Sequence, residues 1–236
     1  MTTNREVFVQ DPTTMDIPNL GVAKVGRPRT PEEWRVLRWE LENFVCEGEY
    51  QHGLDVILSQ YLGRLNRPQQ PAVWVSGFYG SGKSHFVRVL DALWADLSFP
   101  DGATARGLPT LPNEIRDHLT ELTTAGRQAG GLWSASGTLG SSASGEVRLA
   151  LLEILFQASE LPTQIATARF VLWLTQNGFL EGVKAGVEGR GRNFNTELSS
   201  MYVSPPMAES LMDAVPSFAA NVADAHALLR QQFPLS

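Results

Sequence analysis

The sequence predicts an α/β fold, a partial parallel sheet flanked by helices and followed by a mainly helical C-terminal third. Three observations predict it. Ala72 to Val75 is a short apolar run of the kind that forms a buried parallel strand. It breaks into a glycine-rich turn, Gly77 to Ser84, and then into a stretch that places Phe86, Val87, Val89, Leu90, Leu93 and Trp94 on one wide apolar helical face. Beyond residue 163 every periodic stretch reads as helix.

Taken in order, residues 1–29 form a polar N-terminal arm punctuated by Pro12, Pro18 and Pro28. Within it, Gly21 to Gly26 is a candidate short strand or extended segment, and residues 19–26 are a candidate neighbour of a bound base. Thr30-Pro31-Glu32-Glu33 opens a helix, with Thr30 as N-cap, Pro31 at the first helical position and Glu33 closing a capping box. Trp34, Leu37, Leu41 and Phe44 continue it at helical spacing. Glu47-Gly48-Glu49 interrupts the pattern as a solvated turn, and a second helix is expected from about Tyr50 to Leu65.

After the helix that follows the glycine-rich turn, Phe99-Pro100-Asp101-Gly102 is a stop and turn. A polar helix runs from Asn113 or Glu114 to Ala125, where Asp117 and Glu121 share a solvated face. Gly130 to Ala135 reads as a second short strand, opening into a flexible loop from Ser136 to Gly145. Helices are expected at 147–158, 163–177, 179–188, 193–202, 205–213 and 218–232. Asn177-Gly178 is a good helix stop. Gly189-Arg190-Gly191-Arg192 reads as a basic solvated turn. The expected divisions are the arm over 1–29, a nucleotide-binding core over 30–158 and a helical insertion or subdomain over 159–236.

The turn Gly77-Phe78-Tyr79-Gly80-Ser81-Gly82-Lys83-Ser84 fits G-x-x-x-x-G-K-[ST] at every fixed position. With glycine near 7% of residues, a chance match is expected on the order of once per hundred chains of this length. The residue types suit a phosphate chain. Backbone N–H groups at a helix N-terminus attract anions, and glycines let the backbone wrap tightly. Lys83, the one catalytic candidate, would set its ammonium on the β- and γ-phosphates. The Ser84 hydroxyl would complete a Mg²⁺ shell, and the His85 backbone N–H would meet the α-phosphate. The expected cofactors are ATP and Mg²⁺. Strand, loop and helix in this order make the pattern of a P-loop NTPase, of the AAA+/ASCE-like kind.

Composition sets the bounds. At 236 residues and 43% hydrophobic, the chain can bury one large core or two small ones. A net charge of −6 without like-charge blocks argues against a strong electrostatic nucleic-acid binder. Cys46 is the single cysteine, so no disulfide framework exists, and His52, His85, His118 and His226 are scattered without metal-ligand spacing. No signal peptide and no membrane span are read, so a cytoplasmic setting is expected.

A hydrolytic P-loop enzyme needs a further strand ending in an acid, which holds the Mg²⁺ shell. Glu153 lies in a helical pattern, and Phe170 to Leu174 ends in Thr175-Gln176. Two readings stay open. The chain is the N-terminal part of a longer ATPase, or it is a nucleotide-binding scaffold that does not hydrolyse. The first is preferred because the sheet looks unfinished.

From Phe44 to Trp94, FVCEGEYQHGLDVILSQYL and then QPAVWVSGFYGSGKSHFVRVLDALW resemble the large P-loop ATPase of bacterial phage-defence systems. These are the phage growth limitation (Pgl) and BREX systems, and the family is the PglY/BrxC type. IPNLGVAKVGRPRTPEEWRVLRWEL and GGLWSASGTLG with VRLALLEILF are similar to it as well. The resemblance implies an ATP-binding component of a multi-protein defence complex. Its implied partners are a DNA methyltransferase and an alkaline-phosphatase-superfamily protein, with DNA association through the complex and self-association into a homo-oligomer. Members are longer than this chain, and their acid-bearing strand lies beyond a helical insertion.

Overall fold

The computed structural model describes residues 18, 25–139 and 147–235. The expectations for most of the arm, for Gly21 to Lys24 and for Gly140 to Gly145 lie outside the described residues. The structure divides into two compact units, Met1–Thr138 and Leu139–Ser236.

The first unit is built on four helices, α1 (Pro31–Glu42), α2 (Gly48–Leu62), α3 (Lys83–Ala95) and α4 (Asn113–Gln128). Helix α1 starts as its sequence dictates. The Thr30 side chain accepts from the Glu33 N–H at 3.2 Å, and the Glu33 carboxylate reaches back to the Thr30 N–H at 3.3 Å. Helix α2 begins earlier than the periodicity indicated, because Gly48 enters the helix and Glu49 falls in its acid-favouring first turn. The core between these helices includes Leu41, Leu54, Leu58, Leu93, Ile115 and Leu122. Cys46 belongs to the same core at 4% exposure, and its burial pushes the thiol pKa up.

The α/β expectation is overturned. Among the described residues there is no sheet, and the one β pairing is an isolated antiparallel bridge between Ser98 and Thr104. Ala72 to Val75 is not a strand, and Val73 and Trp74 are 52% and 89% exposed. Gly130 to Ala135 is not a strand either, and Trp133 is 49% exposed. A strand exists only when a second segment supplies N–H and C=O partners, and an apolar run does not specify that partner.

The bridge belongs to a tight turn over the C-terminal end of α3. The Phe99 N–H donates to Ala103 O at 2.8 Å, and the Gly102 N–H donates to Phe99 O at 2.9 Å. The turn leads into a single 3-10 turn, Ala105–Gly107, which carries Arg106. That guanidinium donates to the Leu93 and Trp94 carbonyls, at 2.7 and 3.0 Å, and to Leu119 O of α4 at 2.8 Å. It also bonds the Thr123 hydroxyl, while its backbone N–H is taken by Asp96 at 3.1 Å. One side chain thus adds donors to the last carbonyls of α3 and ties that helix to α4.

The second unit contains α5 (Val147–Ala158), α6 (Ile165–Gln176), α7 (Leu180–Gly189), α8 (Phe194–Ser199), α9 (Pro205–Ala214) and α10 (Val222–Gln232). Its core gathers Phe170, Leu174, Val183, Val187, Met207 and Leu211. Helix α6 ends as Asn177-Gly178 predicts. The Gly178 N–H reaches Thr175 O at 3.1 Å, and the Phe179 N–H reaches Leu174 O at 2.8 Å, the pairing of a Schellman stop. Helices α7 and α9 approach closely at Gly186, where a Cβ would meet the Ser210 side chain at 2.9 Å. Arg190 lies in an exposed turn, as expected, and also clasps α9, donating to Glu209 at 3.1 Å and Asp213 at 2.6 Å. Helix α5, the most apolar in sequence, has no buried side chain. No helix among the described residues is long and apolar enough to cross a membrane.

Replacing Arg106 by Ala removes its side-chain hydrogen bonds to Leu93, Trp94, Leu119 and Thr123. We expect a loss of about 2–4 kcal/mol in urea unfolding, with Arg106→Lys recovering only part of it, since a lysine cannot reach four acceptors on two helices at once.

Candidate functional site

The loop between Val75 and α3 carries the sequence-predicted site residues, and the structure keeps them together. A turn closes where the Ser81 N–H donates to Phe78 O at 3.2 Å. Lys83 folds back over it, its Nζ donating to Phe78 O at 2.6 Å and lying 3.4 Å from Ser81 Oγ. Gly77 has to be small, because a Cβ there would come within 2.8 Å of Ser81 Oγ and 3.8 Å of Lys83 Cδ. Lysine and loop therefore form one local structure, with the ammonium resting on a carbonyl that an incoming anion could replace.

Gly82 is the junction with α3. Its φ is +80°, and its carbonyl accepts the first helical bond from the Phe86 N–H at 2.8 Å. A Cβ at this position would overlap the Tyr50 hydroxyl and approach Tyr50 Cζ at 3.3 Å. Tyr50 is held in turn by neighbours, with ring centroids 5.6 Å from Phe44 and 5.9 Å from Phe86. The loop thus sits on an aromatic base supplied by α2 and by the segment before it. Sequence reading missed Tyr50. The available signal was its spacing from Phe44, but nothing local linked it to a glycine thirty-two residues on.

Lys83, Ser84 and His85 occupy the first turn of α3, whose leading N–H groups have no intrahelical acceptors. The positive end of the helix dipole points out of that turn. Ser84 is exposed, Lys83 half-buried. His85 packs against Phe44 at 5.9 Å between ring centroids. Burial, with help from the nearby Arg88 charge, pushes its pKa down and favours the neutral imidazole. Its ring therefore serves packing, while its backbone N–H faces the helix end.

One turn further along, Arg88 is 5% exposed and its Nη1 lies 3.3 Å from Glu40 Oε1 of α1. Burial raises the Glu40 pKa, and the Arg88 charge opposes that rise. This buried pair fixes the start of α3 against α1. Around the rim, Trp74, Phe78 and Tyr79 stand 89%, 90% and 98% exposed, an unusual cluster of large aromatic faces beside a polar turn. The Ser136 hydroxyl donates to Asp91 of α3 at 2.7 Å.

The arrangement offers one ammonium, one free hydroxyl and the N–H groups of a helix start on a single exposed surface. No family model matches the chain, and no solved structure matches it at a significant level.

Gly82→Ala should cost about 1–3 kcal/mol in chemical denaturation, from left-handed strain together with the overlap on Tyr50. Gly80→Ala, with φ +79° and open space at its Cβ, should carry the strain alone, about 1 kcal/mol. Adding Tyr50→Phe to Gly82→Ala should recover part of the larger loss, and a double-mutant cycle measures that coupling.

Proposed function

We propose that the loop from Gly77 to Ser84, with the first turn of α3, binds the phosphates of a Mg²⁺-nucleoside triphosphate. The carrying observation is the pose of Lys83 over the loop, with its ammonium 2.6 Å from Phe78 O. A triphosphate supplies better acceptors than one carbonyl, so the ammonium is placed to exchange one for the other. Lys83 would hold the β- and γ-phosphates, the N–H groups of Gly82 to His85 would meet the bridging oxygens, and Ser84 Oγ would complete the Mg²⁺ shell. Mg²⁺ would neutralise phosphate charge. The reading rests on loop and helix and requires no sheet.

The wider reading is an ATP-binding component of a Pgl/BREX-type phage-defence complex. It is supported by the block VWVSGFYGSGKSH and the flanking stretches that resemble the PglY/BrxC type. A DNA methyltransferase and an alkaline-phosphatase-superfamily protein as partners, self-association and a cytoplasmic setting go with it. The alternative is a nucleotide-binding scaffold that assembles the complex without hydrolysis, and phosphate release separates the two.

Titration of a fluorescent ATP analogue with Mg²⁺ should give saturable binding by the 236-residue chain. Lys83→Ala should weaken it at least tenfold, about 1.4 kcal/mol or more. Equal affinity in the variant would refute the loop as the phosphate site. Phosphate release by this chain is expected to stay at background, and Lys83→Ala in the complete defence system should abolish phage protection.

A further inference from the structure

We propose that Asp55, Glu114 and His118 form a binding site for a divalent transition-metal ion such as Zn²⁺. One donor atom from each lies within 4.8 Å of the others. Glu114 and His118 stand four residues apart on α4, so they share one helical face. Asp55 meets them from α2, with Oδ1 3.0 Å from His118 Nε2. Two donors each about 2.1 Å from one ion at the tetrahedral angle are about 3.4 Å apart, so this hydrogen-bonded nitrogen and oxygen need part by only about 0.4 Å to admit the ion.

The three positions are held by the core rather than by loops. Each donor is the sequence neighbour of a buried anchor, Asp55 of Leu54, Glu114 of Ile115 and His118 of Leu119, all 2% exposed or less. Those anchors belong to one cluster, so the rim they support is fixed by the packing of α2 on α4. The side chains of Asp55 and His118 are 31% and 23% exposed, and Glu114 is exposed, so an ion can enter and water can complete its shell. One imidazole nitrogen with two carboxylates is a donor set for zinc and similar first-row ions, and too poor in oxygens for calcium. The sequence offered no histidine-to-histidine spacing because the second helix supplies a carboxylate instead.

A hydrogen-bonded His118–Asp55 pair needs neither Glu114 nor an ion, which separates the two accounts. Isothermal titration of ZnCl₂ into the whole chain at pH 7.5 should reveal one site of micromolar or tighter Kd. Glu114→Gln, at an exposed position that leaves the core intact, should weaken it at least tenfold, as should Asp55→Asn and His118→Gln. Circular dichroism establishes that each variant folds. Absence of zinc binding at 100 µM, or wild-type affinity retained in Glu114→Gln, overturns the proposal.

Discussion

The position of α3 rests on the guanidinium of Arg106. The last carbonyls of a helix carry the negative end of its dipole, so donors there stabilise it. Arg106 takes two of those carbonyls and one from α4, so the charged end of α3 is neutralised and bolted to its neighbour at once. The Arg88–Glu40 pair adds a second tie nearer the start of the helix, to α1. What is left free at the N-terminal end is the polar turn that carries Lys83 and Ser84.

The loop itself is shaped from below. Tyr50 occupies the space that a side chain at Gly82 would need, and Phe44 and Phe86 hold Tyr50 in place. The same contacts that bury apolar surface therefore dictate where the backbone can turn. Packing and site geometry are one constraint in this unit, while the rim aromatics Trp74, Phe78 and Tyr79 lie outside it.

Much of the helical content was legible because its causes are local. The Thr30–Glu33 box, Pro31, the Asn177-Gly178 stop and the apolar periodicities each act within a turn or two of chain, and each element formed where they pointed. The match of Gly77 to Ser84 to a phosphate-binding pattern was legible for the same reason. The two strands were not, because Ala72 to Val75 and Gly130 to Ala135 carry apolar residues without a described partner segment. The reach of Arg190 to Glu209 and Asp213 was not legible either, since those carboxylates come from another helix.

By itself the sequence determined the helices, their caps and the glycine-rich turn before α3, all products of short-range sterics and hydrogen bonding. Tertiary structure alone decided that no sheet forms among the described residues, that Tyr50 lies under Gly82, and that Asp55 meets Glu114 and His118. These depend on contacts between residues many positions apart, 63 in the case of Asp55 and His118. Such contacts are fixed by how apolar faces pack, and no local pattern encodes them.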